Sequence, residues 1–427
     1  MKVAIPLTGT RGDVQPAVAL GLELRRRGHD VLVGAPPNLV GFTERAGLPA
    51  VPCGPDVAQL YSSPAGQRAL AAGSSFALMR LVAKQMAAYA DQMNHEVIDV
   101  CAGADVVVAT LLTEDRAASV TEASGTPLVV MHGFPGRSSR SYPFPGALPP
   151  HLSPPALVNR ATWAVADNLR RLVFAPYLNR LRADLGLRRS LATPGEMFAR
   201  RGVPEIQIYD PALVPGLDEE WGERRPLVGF LPLDRATRAA IGELADGHQD
   251  VLDWIAAGDP PVYCGFGSMP IQDAAATLEM VRTVARRLDL RVLVSAGWSD
   301  LDVPAAARTD EQVFVTGGLA HDVIFEHCRA AVHHGGIGTT YESLRAGLPT
   351  LVCSVSFDQP MWGGQVSKLG VGAHLPFTAL STDALTSALG GLLDRGTASR
   401  AAELGARLAA RTDATTRVAD LVEAVAR

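Results

Sequence analysis

The sequence predicts an α/β chain of two Rossmann-like halves, each built on its own parallel sheet. Three observations carry this. An apolar run, a helical stretch and a second apolar run follow one another between Lys2 and Ala35. The alternation restarts at Pro261 and continues through Pro349-Thr350-Leu351-Val352-Cys353. Between the two series, Pro211, Pro215, Pro226 and Pro232 surround the acidic Asp218-Glu219-Glu220, a composition that marks a seam. A chain of 427 residues is long for one core and suits two domains of about 200 residues. The expected boundaries are 1–214 for the first domain, 215–232 for the linker and 233–407 for the second domain. The terminal stretch 408–427 is expected to fold back on the first domain as a helix.

Taken in order, Lys2 to Leu7 reads as a strand and Thr8 to Asp13 as a turn. Val14 to Gly28 reads as a helix, with Pro16 in its first turn, Leu20 and Leu24 on its apolar face, Arg25-Arg26-Arg27 near its end and Gly28 stopping it. Val31 to Ala35 is the next strand, and a β-α-β opening implies parallel strands with a right-handed crossover. Phe76 to Val100 reads as helical, and Asp105 to Ala109 and Pro127 to Met131 as strands. Residues 133–155 are rich in proline with Phe134, Tyr142 and Phe144 among them, which reads as a long loop of the functional kind. Helix returns over 156–186, and Ile206 to Tyr209 reads as the last strand of the first half. In the second half, Pro261 to Met269 is a strand leading into a Gly-rich turn and Asp273 to Arg287 a helix. Arg291–Ser295, Val313–Thr316, Ala330–Val332 and Pro349–Cys353 read as strands, and 382–427 as mostly helix.

Composition excludes several classes. Hydrophobic residues at 47% and charged ones at 19% describe an ordinary globular protein. A net charge of −5 gives no basic face for nucleic acid. Five cysteines, at 53, 101, 264, 328 and 353, form no C-x-x-C pair, so reduced thiols are expected rather than disulfides or a zinc site. The apolar run after Met1-Lys2 is too short for a signal peptide, and none is long enough to span a bilayer, so the expectation is a cytoplasmic protein.

The chemistry concentrates after the strand Ala330 to Val332. His333 and His334 lead into Gly335-Gly336-Ile337-Gly338-Thr339-Thr340 and a helical run from Tyr341. A strand, a glycine turn and a helix start together expose backbone N–H groups at the positive end of a helix dipole, a site for phosphate. Glu342 lies about two turns into that helix.

On these residues the chain resembles the GT-B glycosyltransferases of the nucleotide-sugar-dependent UDP-glycosyltransferase family. The bacterial branch acting on sterols, glycopeptides and macrolides is nearest. The likeness runs from Gly9-Thr10-Arg11-Gly12-Asp13-Val14-Gln15-Pro16 through Gly265-Phe266-Gly267-Ser268 and His333-His334-Gly335-Gly336-Ile337-Gly338-Thr339-Thr340 to Asp358-Gln359-Pro360. The family spacing of His, Glu eight on, then Asp-Gln sixteen and seventeen beyond is met by His334, Glu342, Asp358 and Gln359.

The resemblance implies two facing Rossmann-like domains with a cleft between them. It implies an inverting enzyme that moves a hexose from a UDP- or dTDP-sugar to a hydroxyl of a hydrophobic small molecule such as a sterol or macrolide. On the donor side, His334 and Ser268 would meet the diphosphate. Gly336, Gly338, Thr339 and Thr340 would add donors, and Thr10, Arg11 and Gly12 would reach it from the other half. Glu342 would accept from ribose, and Asp358 and Gln359 from the sugar; an exposed helix Glu and an ordinary turn before Pro360 are the structural alternatives. His333 would point into the fold. Asp13 would be the catalytic base, with helix capping as its structural alternative. Many relatives have a His there oriented by an Asp, and here the partner position is Thr110. Plant relatives stack the base on a Trp where this chain has Thr316-Gly317-Gly318-Leu319, which leaves Trp298 as a candidate wall and uridine versus thymidine open. His132, Phe134, Tyr142 and Phe144 would line the acceptor side, with a core role open for His132.

No D-x-D stands in a pocket context, so neither metal nor cofactor is expected beyond the co-substrate, and the chain would be a monomer or homodimer. Two competing readings share the architecture: a nucleotide-sugar epimerase, and a non-catalytic partner of another glycosyltransferase.

Overall fold

The computed structural model describes every residue except 72–74, 244–247, 266–273, 296–309, 318 and 320. The first half carries β1 (Lys2–Pro6), β2 (Asp30–Ala35), β3 (Ala50–Pro52), β4 (Val106–Thr110), β5 (Leu128–His132) and β6 (Glu205–Gln207). They form one parallel sheet in the order β3-β2-β1-β4-β5-β6. The second half carries β7 (Val262–Gly265), β8 (Val292–Ser295), β9 (Val313–Thr316), β10 (Ala330–His333), β11 (Thr350–Val352) and β12 (Gly372–His374). Its order is β12-β11-β10-β7-β8-β9, again parallel. This is the two-domain GT-B arrangement that the sequence predicts.

The strand order reverses between β1 and β4 in one sheet and between β7 and β10 in the other. Ligands of open parallel sheets lie beyond the carboxyl ends of strands at such reversals. The loop after β1 ends at Thr10 and leads into the helical turn of Arg11 to Asp13, and the loop after β10 holds His334 to Gly336.

The edge strands β3 and β12 were not legible. Each has three residues, one with Pro52 and one with Gly372, and short proline- or glycine-bearing edges carry little periodic signal. The strand expected over Ile206–Tyr209 occupies Glu205–Gln207 instead. Tyr209 leaves the sheet to pack edge-on against Trp362 at 5.7 Å.

The stretch expected as a linker is packed. Leu217, Trp221, Leu227 and Phe230 are buried with Tyr209, Tyr341, Trp362 and Leu404 in one apolar cluster between the halves. Phe230 stacks on Tyr341 with ring centroids 4.8 Å apart. The C-terminal helix Ala414–Val425 inserts Ala414, Val418, Ala419 and Val422 into the core formed by β1, β2 and the helix Arg11–Arg26. Arg27 and His29 bond Glu423 at its outer edge. Among the described residues no helix is long and apolar enough to cross a membrane.

Replacing Val418 by Asp buries an unpaired carboxylate in this core. Urea unfolding is expected to show a loss of about 3 kcal/mol, and a loss under about 0.5 kcal/mol would mean that the helix lies on the core without belonging to it.

Candidate active site

The floor of the cleft on the first half is the turn after β1. Gly9 takes φ +123, and a Cβ there would meet the Asp13 Oδ2 at 2.3 Å, so the turn admits glycine alone. Thr10 caps the helix Arg11–Arg26 and shares a capping box with Asp13. The Asp13 Oδ2 accepts from the Thr10 backbone N–H at 2.7 Å and from the Thr10 Oγ1 at 3.2 Å. The capping alternative is therefore realised, and it also fixes where the carboxylate sits. Burial raises the Asp13 pKa, and the bonds from Thr10 work against that.

Arg11 bonds Gln15 at 3.1 Å, lies over the Phe42 ring, and forms an ion pair with Glu243. Gly12 is exposed in the first helical turn. Thr110, at the end of β4, is buried.

On the second half, β10 separates its two histidines. His333 is fully buried; its Nδ1 accepts from the Gly335 N–H at 3.0 Å, so its Nε2 carries the proton and donates to the Ser343 Oγ at 3.2 Å. His334 faces the other way and is partly exposed. Gly335 takes φ +89 with the Val352 side chain 2.4 Å from a notional Cβ, and a Cβ on Gly336 would strike the His334 Nε2 at 2.6 Å. These two glycines let the imidazole lie against the start of the helix Ile337–Arg345. That helix has no side-chain cap at Gly336, so its first N–H groups are left to solvent or an anion. Gly338 and Thr339 are partly exposed there, whereas the Thr340 Oγ1 bonds the Gly336 carbonyl at 3.0 Å. Burial lowers the His334 pKa to about 4, so the ring is neutral near pH 7.

Glu342 is not an exposed helix residue. It is buried, with Oε1 accepting from Arg238 at 3.3 Å and Oε2 from Arg345 at 3.0 Å. After β11, Phe357 takes φ +57, a costly conformation for a bulky residue. It places Asp358 at the start of the helix Gln359–Lys368, where the Trp362 Nε1 donates to Asp358 at 2.9 Å. Burial lifts the Asp358 pKa to about 6, and the negative charge of Asp13 pushes the same way. The buried Tyr61 hydroxyl is held protonated by burial and then by both carboxylates. Asp13 of one half, Asp358 of the other and Tyr61 thus lie within range of one another's charge. The Gln359 Oε1 accepts from the Val355 N–H at 2.8 Å, so its amide oxygen shapes the loop rather than pointing free.

Several buried polar atoms have no partner among the described residues: the Thr8 Oγ1 after β1, the Thr110 Oγ1 on β4, the His334 Nδ1 after β10 and the Ser356 Oγ after β11. All four stand at carboxyl ends of strands. Buried polar atoms seldom stay unpaired, and this grouping fits a polar ligand across both halves.

Of the residues expected on the acceptor side, His132 needs correction, and the others have defined packing. His132 lies in the core, its Nδ1 accepting from Gln207 at 3.2 Å and its Nε2 donating to Glu114 at 3.0 Å, so the structural alternative holds for it. Tyr142 is buried in the seam and donates to the Pro215 carbonyl at 3.1 Å. Phe144 packs edge-on against Trp163 at 5.2 Å. Phe134 is partly buried beside the seam. The loop 133–155 is a strap: Ser139 and Ser141 bond Glu220, and Lys368 holds the Leu152 carbonyl at 2.8 Å. Ser268 and Trp298 lie outside the described residues, as does Gly318.

Two residues escaped the sequence. Arg238 is buried, bonded to Glu342 and, at 3.2 Å, to Glu243. His321 bonds the Tyr263 hydroxyl at 2.9 Å and stacks on Phe325. Burial, with Arg11, Arg238 and His334 nearby, lowers its pKa to about 3. Neither residue stands in a motif; an arginine on a short helix reads as surface charge.

Residues 3–138 match the family model described as glycosyltransferase family 28 N-terminal domain. Residues 285–425 match the model described as erythromycin biosynthesis protein CIII-like, C-terminal domain. An uncharacterized glycosyltransferase of Mycobacterium bovis is 36% identical over 428 residues, covering 100% of this chain and 99% of that protein. A sterol 3-beta-glucosyltransferase of Arabidopsis thaliana is 29% identical over 95% of this chain and 65% of its own length. The solved structure of the glycosyltransferase VinC in complex with dTDP superposes with a TM-score of 0.67 at 18% identity, covering 100% of this chain and 99% of that one.

Three histidines of the second half give the pH dependence of stability a sign. His333 and His334 have folded pKa values below the ordinary 6.5, as does His321, so the unfolded chain binds more protons below that pH. Stability is expected to be complete above pH 6.5 and to fall as pH drops toward 4, each ring adding a slope of up to about 1.4 kcal/mol per pH unit. The raised pKa values of Asp13 and Asp358 oppose it with fewer groups. Urea midpoints that rise on acidification through this window would show that the rings are not held neutral.

Proposed function

Since the chain belongs to the GT-B glycosyltransferases of the UDP-glycosyltransferase family, we propose that it is an inverting enzyme. It would move a hexose from a UDP- or dTDP-sugar to a hydroxyl of a hydrophobic small molecule. The observation that carries this reading is the uncapped helix start beside His334, which can take a diphosphate, with Asp13 and Asp358 near enough to feel each other's charge.

In this reading the donor's diphosphate rests on the N–H groups of Gly338 and Thr339, with His334 as a neutral hydrogen-bonding partner and Arg11 as the nearby cation. Asp358 accepts from hydroxyls of the hexose and keeps it over Asp13. The acceptor oxygen attacks the anomeric carbon from the face opposite the diphosphate. Its proton passes to Asp13, and both bonds from Thr10 fall on Oδ2, which leaves Oδ1 to take it. The bond from the anomeric carbon to the diphosphate breaks, and the nucleoside diphosphate leaves with the electron pair. One displacement inverts the anomeric centre.

A carboxylate base needs no partner to set its tautomer, which agrees with a threonine at position 110. The raised Asp13 pKa brings it nearer the pH at which it must accept and release a proton. The hydrophobic acceptor is supported by the relatives' printed names, a sterol glucosyltransferase among them.

The Asp13→Asn variant is expected to fold normally and to lose about 10²–10⁴-fold in turnover, measured by mass spectrometry of product with sterol and macrolide acceptors; near-normal rates would remove Asp13 from the chemistry. In calorimetry, His334→Ala is expected to weaken UDP or dTDP binding by about tenfold, the worth of one hydrogen bond to a charged group. An unchanged affinity for both nucleotides would separate this histidine from the donor.

A further inference from the structure

The helix Ala156–Asp184 leaves an apolar face uncovered. Its inner side buries Trp163 and Leu181 and is tied down by polar groups: Asn159 donates to the Arg140 carbonyl, Arg170 bonds Glu114 and Asp115, and Arg182 bonds Glu122. Its outer side is apolar. Leu157, Val158, Val165, Leu169, Leu172 and Val173 are all exposed, Leu157 by 79% and Leu172 by 74%. At 100° per residue these six fall on one arc of the helix, joined by Ala161 and Pro176, and no charged residue falls within it before Arg180. The arc runs about 24 Å from residue 157 to residue 173. Leu152 before the helix and Leu191 after it extend the exposed apolar surface.

The surroundings are basic. Between residues 137 and 201 the chain has eleven arginines, no lysine and three acidic residues, a net of +8 in a chain of net charge −5. Arg137, Arg170 and Arg182 spend their charge on buried or nearby carboxylates. Arg160, Arg188, Arg189 and Arg200 are exposed and form no ion pair among the described residues. Arg160 lies beside the arc on the same helix, as does Arg171, which pairs with Glu196 at 3.7 Å.

We propose that this outer face docks on the surface of an anionic lipid bilayer, with the helix lying in the plane of the headgroups. An uncharged apolar arc flanked by cations, on a helix that does not span, is the form such contacts take. A second copy of the chain fits less well, because a two-fold pairing would set the arginine flanks against each other. A single small molecule fits less well again, since the arc is convex and about 24 Å long. The proposal is independent of how Asp13, Asp358 and the donor loop act.

Flotation of the full chain decides it. The wild type is expected to float with phosphatidylcholine vesicles carrying phosphatidylglycerol, to float about tenfold less with phosphatidylcholine alone, and to be released by salt. L169D/L172D, two exposed positions, is expected to melt like the wild type and to lose about a hundredfold in partitioning. R160E/R189E is expected to lose about tenfold on the anionic vesicles only, and it carries the test should the leucine pair fail to fold. Wild-type protein that stays unbound to both vesicles, or leucine variants that float as well as wild type, would overturn the proposal. So would a wild-type dimer that L169D/L172D splits without any vesicle binding, which would make the face a subunit contact.

Discussion

The apolar seam between the two halves sets the width of the cleft, and the chemistry on both sides depends on that width. Phe230, from the stretch joining the halves, stacks on Tyr341 of the helix that begins at the Gly-rich turn. Trp362, four residues after Asp358, meets Tyr209 just beyond the last strand of the first sheet. Both anchors of the donor side are therefore pinned to residues of the seam or the opposite half. Aromatic pairs of this kind contribute about 0.5–1.5 kcal/mol beyond their buried area. Their larger effect here is geometric: they bring Asp358 to where Asp13 changes its protonation.

Charge is arranged around that point with few free ends. Arg11, Glu243, Arg238 and Glu342 form a chain of ion pairs from the first turn of the first domain to the middle of the second domain's helix. His321 stands within reach of its cations, with His334 nearby, both as neutral rings. Glu342 is held by two arginines, whereas Asp358 has one indole donor, and burial lifts its pKa to about 6.

The sheets and the Gly-rich turn were legible because each rests on local grammar. Apolar runs alternate with helical periodicity, and Gly335 and Gly336 stand where any side chain would collide. The division of labour between His333 and His334 follows from alternation along β10. What was illegible depends on distant partners. Arg238 looks like a surface residue until Glu342, 104 positions away, closes over it. Tyr142 and Phe144 look like pocket walls in a proline-rich loop, yet the seam and Trp163 take them. His132 follows a strand as an acceptor-site residue would, but Gln207 and Glu114 claim both of its nitrogens. The helix Ala156–Asp184 carries apolar residues on both its inner and its outer side, so its period did not tell which was inside.

The helix Ala414–Val425 fills the core of β1 and the helix Arg11–Arg26 with residues made some four hundred positions later. During synthesis the opening β-α-β unit leaves the ribosome with that cavity open, and the whole second domain must emerge before it can close. The first domain thus waits on the second, exposing Val14 and Leu20 in the interval. The arrival of the helix Ala414–Val425, not of the first domain's own strands, is what closes that core.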